Sequence, residues 1–309
     1  MNILTLTLNP AIDVHCYSDE FVPFAENLFD VTSNDAGGKG INISRALNVS
    51  SVKNTAVVVV GTDNGDDFLK KLADENISYK EIKVSGRIRE NITLHTVNQK
   101  ETRISFSGFS SDNSIIDKCE KILNDEDLSE SIITVTGRLS DGVDVSCVID
   151  FILRLKEKGA KIVIDSRSFK KEDIIACHPW LIKPNEEEIK MYTDTPVDGV
   201  ESAISASRKL KSQGIENVMI SLGGAGAVLS TDSGTYIANA PKIDVVSTIG
   251  AGDSSIAGFI AKFSDGASYE EALKMAIAFG SAACCVDGTQ APRRSDIEKF
   301  YNEIEVKKI

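Results

Sequence analysis

Short runs of β-branched and aliphatic residues recur along the chain, and amphipathic segments fill the intervals between them. This rhythm predicts strands over residues 3–8, 55–60, 92–97, 132–136, 161–165, 180–183 and 218–222. It predicts helices over 41–49, 66–75, 115–123, 145–158, 201–212, 254–263 and 269–286. Within 254–263, the apolar residues Ile256, Phe259, Ile260 and Phe263 stand at i, i+3, i+4 and i+7, which is one helical face. Short strands alternating with such helices imply βαβ units, whose parallel strands must be covered on both faces. The expected fold is α/β: a three-layer α/β/α sandwich around a mostly parallel central sheet.

Two regions break the rhythm. Residues 13–35 carry no helical pattern, and 87–109 read as two consecutive strands, ITLHTV and TRISF, around the polar turn Asn98-Gln99-Lys100-Glu101. That turn is a hairpin signal. Strands without intervening helices are expected to leave the parallel sheet and form a small antiparallel β lid. No linker, repeat or low-complexity stretch divides the chain, so 1–309 is expected to be one domain with a discontinuous lid over roughly 13–35 and 87–109.

Charge and composition exclude several classes. Lys plus Arg number 34 against 46 Asp plus Glu, a net charge of −12. That balance speaks against nucleic acid and anionic membranes, which want cationic surfaces. The N-terminus lacks a signal-peptide pattern, and the apolar stretch 56–60 is too short to span a bilayer. The six cysteines form no C-x-x-C pair and the three histidines are scattered, so a zinc cluster is not expected. Reduced thiols and a cytoplasmic location follow. His15 and His95 fall on lid strands and read as solvated or interface residues rather than bases. Cys284 and Cys285 read as packing residues on a helix.

The strongest local feature is the run Val245-Val246-Ser247-Thr248-Ile249-Gly250-Ala251-Gly252-Asp253-Ser254. A strand over 242–246 is expected to end in the glycine turn, and a helix to begin there. Gly250 and Gly252 let successive N–H groups converge at a helix N-terminus, which makes an anion-binding nest. Two readings of Asp253 stand: an N-cap, or a carboxylate that takes a proton from a hydroxyl attacking a phosphoryl group held in the nest. The segment 250–255 misses the dinucleotide fingerprint at Ser255, and Gly38-Lys39-Gly40 lacks the Ser or Thr of a P-loop. A second glycine turn, Gly37-Gly38-Lys39-Gly40, opens the helix 41–49. It is either a tight turn or a close approach to a phosphate, with Lys39 supplying charge. After Pro184, Glu186, Glu187 and Glu188 load the first turn of an expected helix. They either complement its dipole or offer oxygens to a hydrated Mg2+.

Five motifs occur in order: TLTLNPAID at 5–13, AGGKGIN at 36–42, IKPNEEE at 182–188, ISLGGAGA at 220–227 and STIGAGDS at 247–254. On these the chain resembles the ribokinase-like carbohydrate kinases of the phosphofructokinase-B type. GRIRENITL at 86–94, FSGF at 106–109 and the VVST run are similar to the 1-phosphofructokinase branch. The resemblance implies ATP-dependent phosphorylation of fructose 1-phosphate to fructose 1,6-bisphosphate. Tagatose-6-phosphate kinase is the nearest alternative, and a non-catalytic sugar-phosphate-binding protein the alternative of another class. It implies Asp253 as base, with Gly250, Ala251 and Gly252 as anion hole. Asp13 would bind sugar hydroxyls, while Gly38, Lys39, Asn42, Arg89 and Arg103 would hold the sugar phosphate. Lys183, Asn185, Ser221, Gly223, Gly226 and Ser281 would touch ATP. Asn185 and Glu188 would organise water around Mg2+, and Ser247, Ile249 and Gly288 would surround a monovalent cation such as K+. A homodimer through the lid is also implied. One departure stands out: the family's S-G-S-L-P reads Thr136-Gly137-Arg138-Leu139-Ser140 here. Arg138 either swings to solvent or adds a phosphate contact.

Overall fold

The computed structural model describes residues 1–97, 101–193 and 196–309. Its strands are β1 (Ile3–Thr7), β2 (Ala11–Ser18), β3 (Asp30–Gly37), β4 (Thr55–Gly61), β5 (Tyr79–Val84), β6 (Arg89–Thr96) and β7 (Thr102–Ser105). They continue with β8 (Ile132–Thr136), β9 (Lys161–Asp165), β10 (Leu181–Ile182), β11 (Asn217–Ser221), β12 (Ala227–Thr231), β13 (Gly234–Ala238) and β14 (Val306–Lys308). The helices are α1 (Lys39–Val49), α2 (Gly65–Asp74), α3 (Ser114–Asn124), α4 (Val145–Glu157), α5 (Lys171–Cys177), α6 (Val200–Ser212), α7 (Ala251–Ser264), α8 (Tyr269–Ala283) and α9 (Arg294–Glu303).

The large sheet has the order β14-β13-β12-β11-β10-β9-β8-β1-β4-β5. From β11 to β5 every neighbouring pair is parallel, and β12, β13 and β14 add an antiparallel edge. The strand period of two sorts side chains to the two faces. Leu4 and Leu6 enter a core shared with α2 to α6, whereas Ile3 enters a second core with α7, α8 and α9. This is the three-layer arrangement that the alternating pattern predicts. The central strands bury nearly every residue, as in 57–60, which are all valine.

The second sheet has the order β3-β2-β6-β7. It is not purely antiparallel as expected. The hairpins β2–β3 and β6–β7 are antiparallel, but β2 and β6 pair in parallel, Ala11 opposite Arg89 through Ser18 opposite Thr96. Each hairpin is local, and the two join through strands that leave the large sheet in the same direction. Asn98, Gln99 and Lys100 of the expected turn lie outside the described residues.

Two further expectations fail. Residues 242–246 form no strand: Val245 and Val246 are 59% and 57% exposed, and the N–H groups of Val246 and Ser247 both donate to the Cys284 carbonyl. A β-branched run makes a strand only where an edge is free to receive it. After Pro184 there is a single 3-10 turn, Glu188–Met191, rather than a helix. The Asn185 side-chain oxygen accepts from the N–H groups of Glu187 and Glu188, which closes a turn before a helix can propagate.

Candidate active site

In the large sheet the chain runs from β1 outward to β4 and β5, then returns to β8 on the other side of β1. Open parallel sheets bind ligands outside the carboxyl ends of their strands at such a reversal. A cleft of about 680 Å³ lies there. It is lined by Thr7 at the end of β1 and Asn9 beyond it, Gly137 and Arg138 after β8, Asp165 at the end of β9, and Lys183 and Asn185 after β10. Asp13, Arg89, Asn91 and Arg103 of the second sheet close one side, and Ile249, Gly250, Gly252 and Asp253 close another.

Helix α7 starts at this wall. Gly250 is its N-cap residue with φ of 78°, a left-handed conformation that favours glycine, and no side chain caps the helix. The capping reading of Asp253 therefore fails. Its carboxylate instead accepts from Asn42 Nδ2, at 2.8 Å to Oδ2. Burial pushes the Asp253 carboxyl up to about 6; Lys39 and Asn42 pull it down, and the nearby Asp165 pushes it further up. Burial also opposes the charge on Lys39, but Asp165, Asp253 and Glu188 outweigh it and hold the ammonium above the usual lysine range. Lys39 Nζ lies 3.0 Å from Asp165 Oδ2 and 3.9 Å from Glu188 Oε1. Asp165 is buried as well, yet Lys39 and Lys183 keep it below the usual carboxylate range. Lys183 reaches the start of α7: a Cβ at Gly252 would lie 3.0 Å from its Nζ.

At the second sheet, Asp13 Oδ1 accepts from Asn91 Nδ2 at 2.7 Å and from Arg103 Nη2 at 3.2 Å. Arg89 Nη1 donates to Asn91 Oδ1 at 3.2 Å. Burial, and with it the like charges of Arg103 and Arg138, holds the Arg89 guanidinium below the ordinary arginine value against the pull of Asp13. Gly37 makes room for this carboxylate, because a Cβ there would lie 2.0 Å from Asp13 Oδ2. Arg138 lines the cleft with an exposed side chain and donates to Asp141 Oδ1 at 3.2 Å.

Both oxygens of Glu188 are engaged, Oε2 by the Asn185 N–H and Oε1 by Arg167 Nε, each at 3.2 Å. Among the described residues no group of three or more His, Cys, Asp or Glu could hold a metal ion directly. This donor set fits a hydrated Mg2+ met through water, not one caged by protein oxygens.

Of the residues singled out in the sequence, Asp13, Gly38, Lys39, Asn42, Arg89, Arg103, Arg138, Lys183, Asn185, Glu188, Ile249, Gly250, Gly252 and Asp253 line the one cleft. Ala251 begins α7 beside it but does not line it. Ser221 bridges to Asn185, while Gly223 and Gly226 flank the turn after β11 and Ser281 is buried in α8; none of these four lines the cleft. Ser247 and Gly288 line an adjacent cleft of about 400 Å³ together with His15 and His95. His15 is not solvated, being only 7% exposed; its Nδ1 lies 2.9 Å from His95 Nε2, and Gly288 packs against its ring.

The sequence reading passed over Thr7, Asn9, Asn91, Asp165, Arg167 and Thr289. Asp165 had a signal, an acidic residue closing a buried parallel strand. Thr7 Oγ1, Asn9 Oδ1, Arg89 Nε and Thr289 Oγ1 are buried without a hydrogen-bond partner among the described residues, and their residues all line the cleft. Unpaired buried polar atoms are rare, so a cluster of them marks a place where a polar ligand supplies the partners.

Comparison with known proteins agrees with this geometry. Residues 7–296 match the profile described as pfkB family carbohydrate kinase. The 1-phosphofructokinase of Escherichia coli K12 is 33% identical over 288 residues, 91% of this chain and 90% of that protein. That of Bacillus subtilis is 32% identical over 283 residues, 91% of each chain. In three dimensions the chain is similar to phosphofructokinase-2 of E. coli in complex with potassium, with a TM-score of 0.89 at 26% identity over 98% of both chains. The match runs from the end of β1 to the first turn of α9 and includes every residue of the cleft: this chain belongs to the pfkB family of carbohydrate kinases.

Proposed function

We propose that this kinase transfers the γ-phosphoryl group of ATP to the free primary hydroxyl of fructose 1-phosphate, giving fructose 1,6-bisphosphate and ADP. The observation that carries the reading is the buried Asp253 carboxylate at the start of α7, lining the same cleft as the cations Arg89, Arg103 and Arg138. A sugar phosphate bound in that cleft would present its phosphate to the arginines and its distal hydroxyl to the carboxylate.

The chemistry follows from the side chains. Asp253 accepts the hydroxyl proton as the oxygen attacks the γ-phosphorus, and the bond from that phosphorus to the ADP oxygen breaks. A carboxyl titrating near 6 is ionised at neutral pH, yet basic enough to draw the proton off in the transition state. Gly250 and the first turn of α7 direct N–H groups and the helix dipole at the transferring group. Lys183 adds charge at the same spot. Asp13, held by Asn91 and Arg103, accepts hydrogen bonds from sugar hydroxyls. The lid excludes water, which limits ATP hydrolysis. Asn185 and Glu188 would hold Mg2+ through water, and the ion when bound would offset phosphate charge. Ser221, Gly223, Gly226 and Ser281 are assigned to ATP on the family likeness. Ser247, Ile249 and Gly288 are assigned a monovalent cation such as K+, on the likeness to the potassium-bound neighbour. We read 1–309 as one domain with a lid, acting in the cytoplasm. The exposed Val31 and Ile104 on one face of the lid sheet, with Leu28 beside it, support a homodimer through that face.

The test is ADP release with fructose 1-phosphate, fructose 6-phosphate and tagatose 6-phosphate side by side. The highest kcat/KM is expected with fructose 1-phosphate. A higher value with either of the others reassigns the substrate, and no ADP with any of them overturns the reading.

A further inference from the structure

One buried cation has no place in the chemistry above. Arg45 lies on α1, three residues beyond Asn42. On one side its Nη2 donates to Glu75 Oε1 at 2.9 Å, and its Nε donates to Glu75 Oε2. On the other it donates to the Ala36 carbonyl, to the Thr289 carbonyl at 3.3 Å, and through Nη1 to Asn42 Oδ1 at 2.9 Å. One side chain thus ties together the end of β3, the end of α2 and the loop that packs against Gly250.

The bond to Asn42 has a chemical consequence. A guanidinium carries donors and no acceptor, so the amide atom facing it must be the oxygen. The amide nitrogen is then left to face Asp253, to which it donates at 2.8 Å. An ionised Asp253 selects the nitrogen end unaided, but a protonated one could donate to the oxygen end; the Arg45 bond holds that oxygen away and so favours the ionised form.

We propose that Arg45 is a positioning residue for phosphoryl transfer: it locks the Asn42 amide so that an N–H donor is always held on the Asp253 carboxylate. This rests on the reading of Asp253 as the general base. The other charged groups facing Asp253 are Lys39 of α1, Asp165 at the end of β9 and Lys183 after β10. Among the described residues none of these is bonded to Arg45, so its loss frees the Asn42 amide to turn and leaves their charges in place. A hydrogen bond to the ionised form lowers a carboxyl's pKa, so losing it raises the pKa.

The experiment is a double-mutant cycle read through the pH dependence of kcat/KM, with Arg45→Met, Asn42→Ala and the double variant. Thermal denaturation and ATP binding confirm that each is folded. Arg45→Met is expected to move the acidic limb upward by about one pH unit, so that activity lost near pH 6.5 returns at higher pH. In the Asn42→Ala background the same substitution is expected to move the limb no further. An unmoved limb, or an equal shift in both backgrounds, overturns the proposal. Should Arg45→Met not fold, Arg45→Lys replaces it: a single point donor cannot serve Asn42 and Glu75 with the same fork, so the limb shifts the same way by less, and no shift overturns the proposal. Asp253→Asn separates the two ideas. Near-normal turnover in that variant removes the base reading itself, whereas lost turnover with an unmoved Arg45→Met limb removes only the role of Arg45.

Discussion

Lys39 Nζ lies 3.0 Å from Asp165 Oδ2, joining the start of α1 to the end of β9 across 126 residues of chain. The ammonium is the shared counter-charge of three carboxylates, those of Asp165, Asp253 and Glu188. Removing it leaves Asp165 and Asp253 buried and coupled to one another, with Lys183 as a remaining cation that acts on both. Lys39→Met is expected to destabilise the fold at neutral pH by about 3 kcal/mol, since a buried charge loses its partner. Its stability should recover partly as the pH falls and the carboxylates protonate. Urea denaturation at pH 5 and pH 8 measures both, and equal losses at the two pH values would contradict the shared counter-charge.

Asp253 carries the second prediction. Asp253→Asn keeps the Asn42 bond through its own side-chain oxygen but cannot accept a proton, so turnover should fall by about 10²–10⁴ while ATP binding persists. Wild-type kcat/KM should decline as the pH drops below about 6, where the carboxyl protonates. Stability runs the opposite way. The folded pKa is raised above the unfolded value of 3.8 to about 6, so the folded state binds the extra proton and stability falls as the pH rises through that window. The variant should therefore melt higher than wild type at pH 8 and nearly level with it at pH 3.5. A variant that melts lower at pH 8 would contradict the burial cost assigned to this carboxylate.

Gly37 tests the sugar end. Its α-carbon lies against the Asp13 carboxylate, and a methyl group 2.0 Å from Oδ2 forces that side chain away from Asn91 and Arg103. Gly37→Ala should raise KM for the sugar phosphate at least about tenfold, the loss expected when a hydrogen bond to a charged group is broken. KM for ATP should stay within a factor of about two, because the displaced groups lie on the lid side of the cleft. A change confined to ATP would place Asp13 at the wrong substrate.

Arg138 separates the two readings left open by its sequence context. It lines the cleft and lowers the pKa of Arg89 through like charge, yet its side chain is 64% exposed and pairs only with Asp141 among the described residues. Arg138→Ser should raise KM for the sugar phosphate by about 3- to 10-fold, as one exposed charge-assisted contact is lost. Thermal stability should be unchanged. An unaltered KM in steady-state kinetics would leave Arg138 as a solvated loop residue.

Much of the architecture was legible in local patterns. The buried strands β1, β4, β8, β9 and β11 announce themselves as aliphatic runs, and α7 as an apolar stripe. Strand β5 did not, because YKEIKV mixes charge with its apolar positions at the sheet edge. The run 242–246 misled in the opposite sense, having strand composition but no edge to join. At the site, the glycine turns and the conspicuous cations Lys39, Arg89 and Arg103 were visible as residue types. Asn91, Asp165 and Arg45 were not, since each gains its role from a partner distant in sequence.

The division has a physical cause. Hydrophobic period, turn chemistry and helix starts act over a few residues, so the layered α/β fold, the lid segments and the glycine turn before Asp253 are legible in local stretches of chain. Burial and Coulomb interaction act across space, and their outcome here depends on the assembled fold. It seated Asp253 against Asn42 rather than in a helix cap, placed Lys39 between three carboxylates, and paired β2 with β6 in parallel. A carboxyl's proton affinity depends on what surrounds it, and in this chain those surroundings come from α1, β9 and the segment after β10, segments far from Asp253 in the chain.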